Sequence, residues 1–129
     1  MPRKFYLTTA IDYANGAPHL GHAYEKVLAD VIARRQRLHG HPTHFLTGLD
    51  EHGQKVEKSA AERGERSIDL ADRVVTRFQH LWEVLDISLS RFVRTTEPAH
   101  REAVEELFRR VKANGDIYLG AYEDWYCTP

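Results

Sequence analysis

The sequence has few of the residues typical of secreted or membrane-spanning proteins. Its 129 residues include one cysteine, Cys127, so an internal disulfide framework is excluded and a reducing compartment is expected. No run approaches the about 18 apolar residues of a membrane span, and the N-terminus lacks the apolar stretch of a secretory signal. The formal net charge of −1 provides no positive field toward DNA or anionic lipid. We therefore expect a cytoplasmic protein whose partners include neither DNA nor a membrane.

The first third of the chain alternates between strand and helix patterns. A strand is predicted over about residues 4–10, a helix over 19–38, and a second strand over 43–47 that Gly48 interrupts. The apolar stripe expected to be the core face of this helix consists of Val27, Leu28, Val31, Ile32 and Leu38. Strand–helix–strand units are almost always right-handed crossovers between parallel strands. The C-terminal ends of both strands should therefore lie at one edge of a parallel sheet.

The rest of the chain continues this α/β pattern. A short helix is predicted at about 56–64, a longer helix capped by Ser67, a third strand over 91–95, and a last helix that opens at Pro98. The longer helix is expected to bury Val74, Phe78, Leu81, Trp82 and Leu85. The last helix is expected to have an apolar side made of Val104, Leu107, Phe108 and Val111. After it, residues 116–129 become aromatic and strand-prone, which indicates the start of a further structural unit.

The loop after the first strand carries a pattern suited to phosphate. It ends in His19-Leu20-Gly21-His22, where the helix begins and its free N–H groups and dipole favour an anion. His19 and His22 project from one side of the first turn, and Gly21 leaves room for a base or a ribose. Two imidazole N–H donors placed there can stabilise charge that builds on a transferring phosphate. The alternative is that the two histidines form a solvated polar cap.

A second candidate site follows the second strand. Asp50 lies in Gly48-Leu49-Asp50-Glu51-His52-Gly53, at the sheet edge where open α/β sheets bind ligands, and it is placed to meet an ammonium group. Capping of the next helix is an alternative for Asp50, and equally for Glu51 and His52. A metal site formed by His19, His22, Asp50 and His52 is another alternative, but phosphate chemistry accounts better for the glycines.

Three segments of the chain together resemble the N-terminal part of the methionyl-tRNA synthetases, which are class I aminoacyl-tRNA synthetases. The segments are residues 13–22, residues 45–53 and residues 122–127. The His-x-Gly-His pattern alone is shared with other nucleotidyltransferases, and its combination with Asp-Glu-His-Gly indicates methionine. The resemblance implies that residues 1–115 form the N-terminal half of a Rossmann-type nucleotide-binding domain. It also implies that residues 116–129 begin a connective insertion, which is incomplete here.

The resemblance also implies roles on the nucleotide side of the site. His19 and His22 would be the catalytic residues and would bind the α-phosphate of ATP, while Gly21 would pack near the adenine. Asn15 and Glu25 would contribute to ATP binding.

On the methionine side, the resemblance implies that Asp50 holds the amino group. Tyr13 would close over the amino acid, and Ile11 would line the same pocket through its backbone. Cys127 would be a zinc ligand if the full-length protein binds Zn²⁺. The sequence departs from the family at Asp12, where many members carry proline or tyrosine.

The function implied by the resemblance is that of a methionine–tRNA ligase in protein synthesis. Its substrates would be L-methionine, ATP with Mg²⁺, and tRNA(Met). Met1 is the sole methionine, so the family's Lys-Met-Ser-Lys-Ser loop is not among these residues, and we expect an N-terminal fragment that is inactive alone. Two alternatives stay open: a non-catalytic nucleotide-binding or interaction module, and a small nucleotidyltransferase that uses the His-x-Gly-His loop.

Overall fold

The chain folds into alternating strands and helices. The structure, a computed structural model, describes residues 3–125, so Cys127 lies outside the described residues and its zinc role stays a prediction. The elements in chain order are β1 (Phe5–Thr8), β2 (Asp12–Tyr13), α1 (Leu20–Leu38), β3 (Thr43–Asp50), α2 (Gln54–Ala61), α3 (Ser67–Val84), β4 (Arg91–Arg94) and α4 (Pro98–Ala113). Every strand pair is parallel, which confirms the predicted α/β class. No helix among the described residues is long and apolar enough to cross a bilayer.

The sheet is built around β3. One edge of β3 pairs with both β1 and β2, and the other edge pairs with β4. Thr8 pairs with Leu46 and Asp12 pairs with Leu49. The first segment therefore advances four residues between these pairs, whereas β3 advances three. The segment between β1 and β2 therefore contains a one-residue bulge. Because one extra residue reverses the face on which later side chains lie, Asp12 shares the face of Leu49.

The prediction that Gly48 interrupts the second strand is wrong. β3 runs through Gly48 to Asp50, and Gly48 pairs with Val93 of β4. A Cβ atom at Gly48 would lie 2.1 Å from the carbonyl oxygen of Val93. A glycine inside a strand often marks such a close backbone approach.

Replacement of Gly48 by alanine should destabilise the protein because the Val93 carbonyl cannot retreat without breaking the strand pair. We expect the free energy of unfolding, measured by urea denaturation, to fall by about 1–3 kcal/mol or more. Gly16→Ala is the matched control, since a Cβ at Gly16 meets no atom within 4 Å. Equal stability of the two variants would contradict this account of β3.

Helix α3 provides most of the core, largely as its pattern predicts. Val74, Phe78 and Trp82 are buried, and Leu81 and Leu85 pack against them. The predicted cap is wrong: Ser67 is the first helical residue, Arg66 is the N-cap, and no side chain caps the helix. Arg66 instead binds both carboxylate oxygens of Asp69, with Nε–Oδ2 at 2.7 Å, which ties down the first turn.

The predicted core face of α1 is also wrong. The residues that α1 buries are Lys26, Ala29, Asp30 and Ala33. The five residues of the predicted core face are all exposed. Leu28 is 52% exposed and Val31 is 58% exposed, and the others are Val27, Ile32 and Leu38. The two alanines permit a close approach to Phe45 of β3, which larger side chains would prevent. The apolar face of α1 is thus left at the surface, as is typical of an interface.

The last helix and the segment after it lie outside the core. No residue of α4 is buried, and Leu107 on its predicted apolar side is 63% exposed. Residues 116–125 form neither strand nor helix, so the strand-prone pattern does not predict their structure. An isolated strand is not stable in water, and this segment pairs with no strand among residues 3–125.

Candidate active site

Two imidazoles form the start of α1. His19 is the N-cap, and its Nδ1 accepts a hydrogen bond from the Gly21 N–H at 3.1 Å. The Nδ1 of His22 accepts one from the His19 N–H at 3.1 Å, which completes a capping box. A neutral imidazole whose Nδ1 accepts carries its proton on Nε2. Both histidines therefore cap the helix and keep an Nε2–H donor, so the polar-cap alternative and the phosphate interpretation do not exclude each other.

His22 is held from several sides. Its ring stacks on that of His19 with 3.7 Å between the centroids, and it forms an edge-to-face contact with the ring of Phe78 from α3, with 5.2 Å between the centroids. Burial lowers the pKa of His22 below its ordinary value, although the nearby Asp12 carboxylate partly opposes this shift. The imidazole is therefore neutral at physiological pH, which the Nδ1 acceptor role requires.

Gly21 is required by the histidine beside it. A Cβ at Gly21 would lie 2.9 Å from Cε1 and 3.1 Å from Nδ1 of the His19 ring. The glycine thus lets the imidazole fold back over the first turn of α1. Its expected packing against adenine is a separate matter and stays a prediction.

Replacement of Gly21 by alanine should displace the His19 ring from the N-cap, because ring and Cβ cannot share that space. We expect loss of the His19–Gly21 hydrogen bond, at a cost of about 0.5–2 kcal/mol in stability. Thermal unfolding would measure this cost. An unchanged melting temperature, with the His19 ring still in place in a crystal structure of the variant, would contradict this account.

Asp50 and Tyr13 occupy the other face of the same sheet edge. They lie opposite each other in the β2–β3 register, one residue beyond the pair of Asp12 and Leu49. The carboxylate of Asp50 accepts a hydrogen bond from the His52 N–H at 3.3 Å and forms no ion pair within the described part of the chain. The ring of Tyr13 is exposed, with Lys55 Nζ 4.9 Å from its centroid. An unpaired carboxylate beside an exposed ring suits a cationic ligand.

The other predicted binding residues surround this edge. Ile11 is exposed in the bulge, and Asn15 is half-buried in the turn after β2. Glu25 accepts hydrogen bonds from the Ala10 N–H at 3.3 Å and from Lys26 Nζ at 2.5 Å. In this structure the Glu25 carboxylate therefore fastens the bulge, and its ATP contact stays a prediction.

The capping alternatives for the segment after β3 are wrong. Helix α2 has Gly53 as its N-cap, with no side-chain hydrogen bond to the cap. The side chain of Glu51 is fully buried, where it receives Arg94 Nε at 2.7 Å and the Thr96 hydroxyl, so it ties this loop to the end of β4. Its carboxylate raises the pKa of Arg94.

The metal alternative finds no support in the part of the chain that the structure describes. Among residues 3–125, no three histidine, cysteine or acidic side chains are grouped so that they could hold a metal ion.

The sequence predicted no role for two residues of this region, Lys26 and Asp12, although Asp12 stands out as a departure from the family pattern. Lys26 is 0% exposed and Asp12 is 8% exposed, and the Nζ–Oδ2 distance between them is 2.9 Å. The other carboxylate oxygen of Asp12 lies 3.7 Å from His22 Nε2. A usable signal was the spacing of Lys26 with Ala29, Asp30 and Ala33, which is that of one helix face.

Comparisons with known proteins agree with this geometry. Residues 5–129 match the family described as tRNA synthetases class I (M). A methionine–tRNA ligase of Thermotoga maritima is 45% identical over 126 residues, which are 98% of this chain and 20% of that protein. One of Mycobacterium bovis is 52% identical over 124 residues, 96% of this chain and 24% of that protein. The chain thus spans about a fifth to a quarter of the length of these relatives.

A solved structure is similar to this chain in fold as well as in sequence. Mycobacterium tuberculosis methionyl-tRNA synthetase in complex with methionyl-adenylate superimposes with a TM-score of 0.92 at 52% identity, over 96% of this chain and 24% of that one. The fold is therefore that of the N-terminal part of a Rossmann-type catalytic domain. Because the family match runs from residue 5 to residue 129, the chain belongs to the class I tRNA synthetase (M) family.

Proposed function

We propose that this chain is the N-terminal part of a methionine–tRNA ligase, which activates L-methionine with ATP and transfers it to tRNA(Met). The observation that carries the proposal is the placement of two Nε2–H donors and an unpaired carboxylate at one sheet edge. The relative in complex with methionyl-adenylate, which superimposes on nearly the whole chain, supports it. The expected domain division, 1–115 for the half-domain and 116–129 for the start of the insertion, is part of this proposal.

The nucleotide side of the reaction would use the N-terminus of α1. The carboxylate oxygen of methionine attacks the α-phosphorus of ATP, the bond from phosphorus to the β-bridging oxygen breaks, and its electron pair leaves with pyrophosphate. Negative charge shifts among the phosphate oxygens in the transition state. The Nε2–H groups of His19 and His22 would donate hydrogen bonds to those oxygens. The protein supplies no nucleophile, so positioning and charge stabilisation provide the rate enhancement.

The other substrate contacts would come from around the same edge. Asp50 would bind the methionine ammonium, beside the ring of Tyr13 and the backbone of Ile11. ATP enters with Mg²⁺ as part of the substrate, with Asn15 and Glu25 on its side of the cleft. We place the reaction in the cytoplasm, where a chain with one cysteine is stable in its reduced form.

A zinc site in the insertion would need residues from outside this chain. Structural zinc takes four ligands, and Cys127 is the sole cysteine of these 129 residues. We therefore propose Cys127 as one zinc ligand at most, and no step of the activation reaction depends on that metal.

The test is amino-acid-dependent exchange of labelled pyrophosphate into ATP by the complete gene product that carries these residues. We expect methionine to support exchange at least 100-fold above leucine or isoleucine. Exchange with a different amino acid would overturn the assignment to methionine. Absence of exchange with any amino acid, together with calorimetric binding of ATP, would favour the non-catalytic nucleotide-binding module.

A further inference from the structure

A buried ion pair lies directly behind the histidine pair. Lys26 Nζ is 2.9 Å from Asp12 Oδ2, donates to the Ala10 carbonyl oxygen at 3.1 Å and to Glu25 at 2.5 Å, and lies 5.9 Å from the ring centroid of Trp82. The contact with Asp12 is an ion pair whose angles are not those of a hydrogen bond, since Oδ2 has no hydrogen-bond partner. A fully buried lysine is rare, because its ammonium must be paired to offset the loss of hydration.

The bulge between β1 and β2 places Asp12 where it can form this ion pair with Lys26. The extra residue turns Asp12 onto the face of Leu49, which α3 covers at Leu49 and α1 covers at Phe45. The backbone of Ala10, left out of the strand ladder, is satisfied by Glu25 and Lys26. Bulges near active sites commonly redirect a side chain in this way. Two consecutive residues of α1 thus hold the bulge that directs Asp12 toward the start of α1.

The second oxygen of Asp12 faces His22. Its Oδ1 is 3.7 Å from His22 Nε2, on the opposite side of the ring from Nδ1, which accepts from the His19 N–H. This separation exceeds a hydrogen bond, so Asp12 acts on the imidazole through its charge. A carboxylate beside Nε2 favours the proton there, and a backbone N–H beside Nδ1 disfavours a proton on that atom. Both contacts favour the same tautomer.

We propose that Asp12, held in place by Lys26, is a positioning residue that keeps His22 as the Nε2–H tautomer, oriented for adenylate formation. The catalytic half of this proposal, the effect on adenylate formation, rests on the proposed function. The structural half, the tautomer and orientation of His22, does not. Lys26 has a second effect here. Its charge compensates the Asp12 carboxylate, which would otherwise repel the phosphates of ATP at the N-terminus of α1.

A structural role alone would not require Asp12 to face the imidazole. Lys26 already has two other oxygen partners, and those two contacts fasten the bulge without Asp12. The charged or titratable groups that act on His22 are Asp12, His19, Lys26 and Glu25, and from α3 the uncharged ring of Phe78 packs against it. Of the charges, Asp12 has the largest influence on the pKa of His22, and it raises that pKa.

The first experiment is NMR titration of the histidine ring nitrogens in the complete gene product with labelled histidine. Wild-type His22 should show the Nε2–H tautomer, and Asp12→Asn should lower its pKa further, because the charge that favours the protonated form is removed. Since Asp12→Asn leaves Lys26 buried with one partner fewer, the double variant Asp12→Asn/Lys26→Met is the folding control. It removes both charges together, which buried pairs tolerate better than loss of one. An unchanged His22 pKa and tautomer in both variants would overturn the proposal.

The second experiment measures single-turnover adenylate formation by the complete gene product. We expect the double variant to lose about 10- to 100-fold in rate, the range found when the partner that orients a metal-ligating histidine is removed, with little change in the ATP dissociation constant. The acid limb of its pH–rate profile should move to lower pH, and Asp12→Glu should recover part of the rate. A shifted NMR titration with a wild-type rate and pH profile would overturn the catalytic half. Lack of methionine-dependent exchange in the wild-type protein would instead remove the proposed function and leave the NMR result standing.

Discussion

Replacement of His22 by alanine in the complete gene product is expected to slow methionyl-adenylate formation by about 10²–10³-fold, which corresponds to about 2.7–4 kcal/mol. The reason is that its Nε2–H donor stabilises charge that develops only during transfer of the α-phosphate. Ground-state binding should change little, so the ATP dissociation constant should stay within a few-fold of wild type. Single-turnover kinetics with methionine in excess separate these two quantities.

Each imidazole both caps α1 and provides an Nε2–H donor, so the control variants separate these two functions. Asparagine at position 19 is a good N-cap, so His19→Asn should keep the melting temperature and still lose the rate. His22→Gln keeps an acceptor for the His19 N–H in the capping box. His80→Ala removes an exposed imidazole on α3 and should leave the rate unchanged. A wild-type adenylation rate in His22→Ala would reduce the histidines to helix caps.

The two histidines should not act independently. Their rings stack with 3.7 Å between the centroids, and contacting residues are generally non-additive. Loss of either ring also removes the support of the other. The double variant should therefore lose less than the product of the two single effects.

Replacement of Asp50 by asparagine is expected to raise the KM for methionine by about 10- to 100-fold, with little effect on ATP. Asparagine keeps an acceptor for the His52 N–H but loses the charge that would bind an ammonium group. A hydrogen bond to a charged group contributes about 1.5–3 kcal/mol, and each 1.4 kcal/mol is a factor of about ten in affinity. Methionine-dependent pyrophosphate exchange gives the KM.

Glu51→Gln is the matched control because the two acidic residues are neighbours with opposite surroundings. Glu51 is buried against Arg94 and Thr96, so its variant should lose thermal stability while the KM for methionine stays near wild type. Asp50→Asn should show the reverse pattern. If the KM for methionine is unchanged in Asp50→Asn, the wild-type Asp50 carboxylate only stabilises the loop around His52.

The sequence predicted three of the four strands and all four helices because their local patterns are strong, but it missed the two-residue strand β2. It placed the His19–His22 loop and the segment around Asp50 at one sheet edge because parallel strands end together, and the roles of these residues stay predictions. It did not predict the buried face of α1. There the larger apolar side chains are at the surface, and two alanines beside Lys26 and Asp30 meet the sheet. A periodic pattern shows which residues share a helix face, but it does not show which face packs when small residues permit closer contact.

The bulge was missed for a related reason. Nothing in the residues between Thr8 and Asp12 marks an extra residue relative to β3, because register depends on the partner strand. Without the bulge, Asp12 could not be placed on the face of His22. The burial of Lys26 follows from the same contacts, since two of its three oxygen neighbours, on Ala10 and Asp12, come from the folded strand edge.

The most direct test of the account is a crystal structure of the complete gene product with a stable sulfamoyl analogue of methionyl-adenylate. We expect Nε2 of His19 and of His22 within about 3.2 Å of the sulfamoyl oxygens that replace the phosphate oxygens, and an Asp50 carboxylate oxygen within the same distance of the methionine ammonium. An analogue bound away from the N-terminus of α1, or with its ammonium held by other residues, would contradict the assignment of this sheet edge as the activation site.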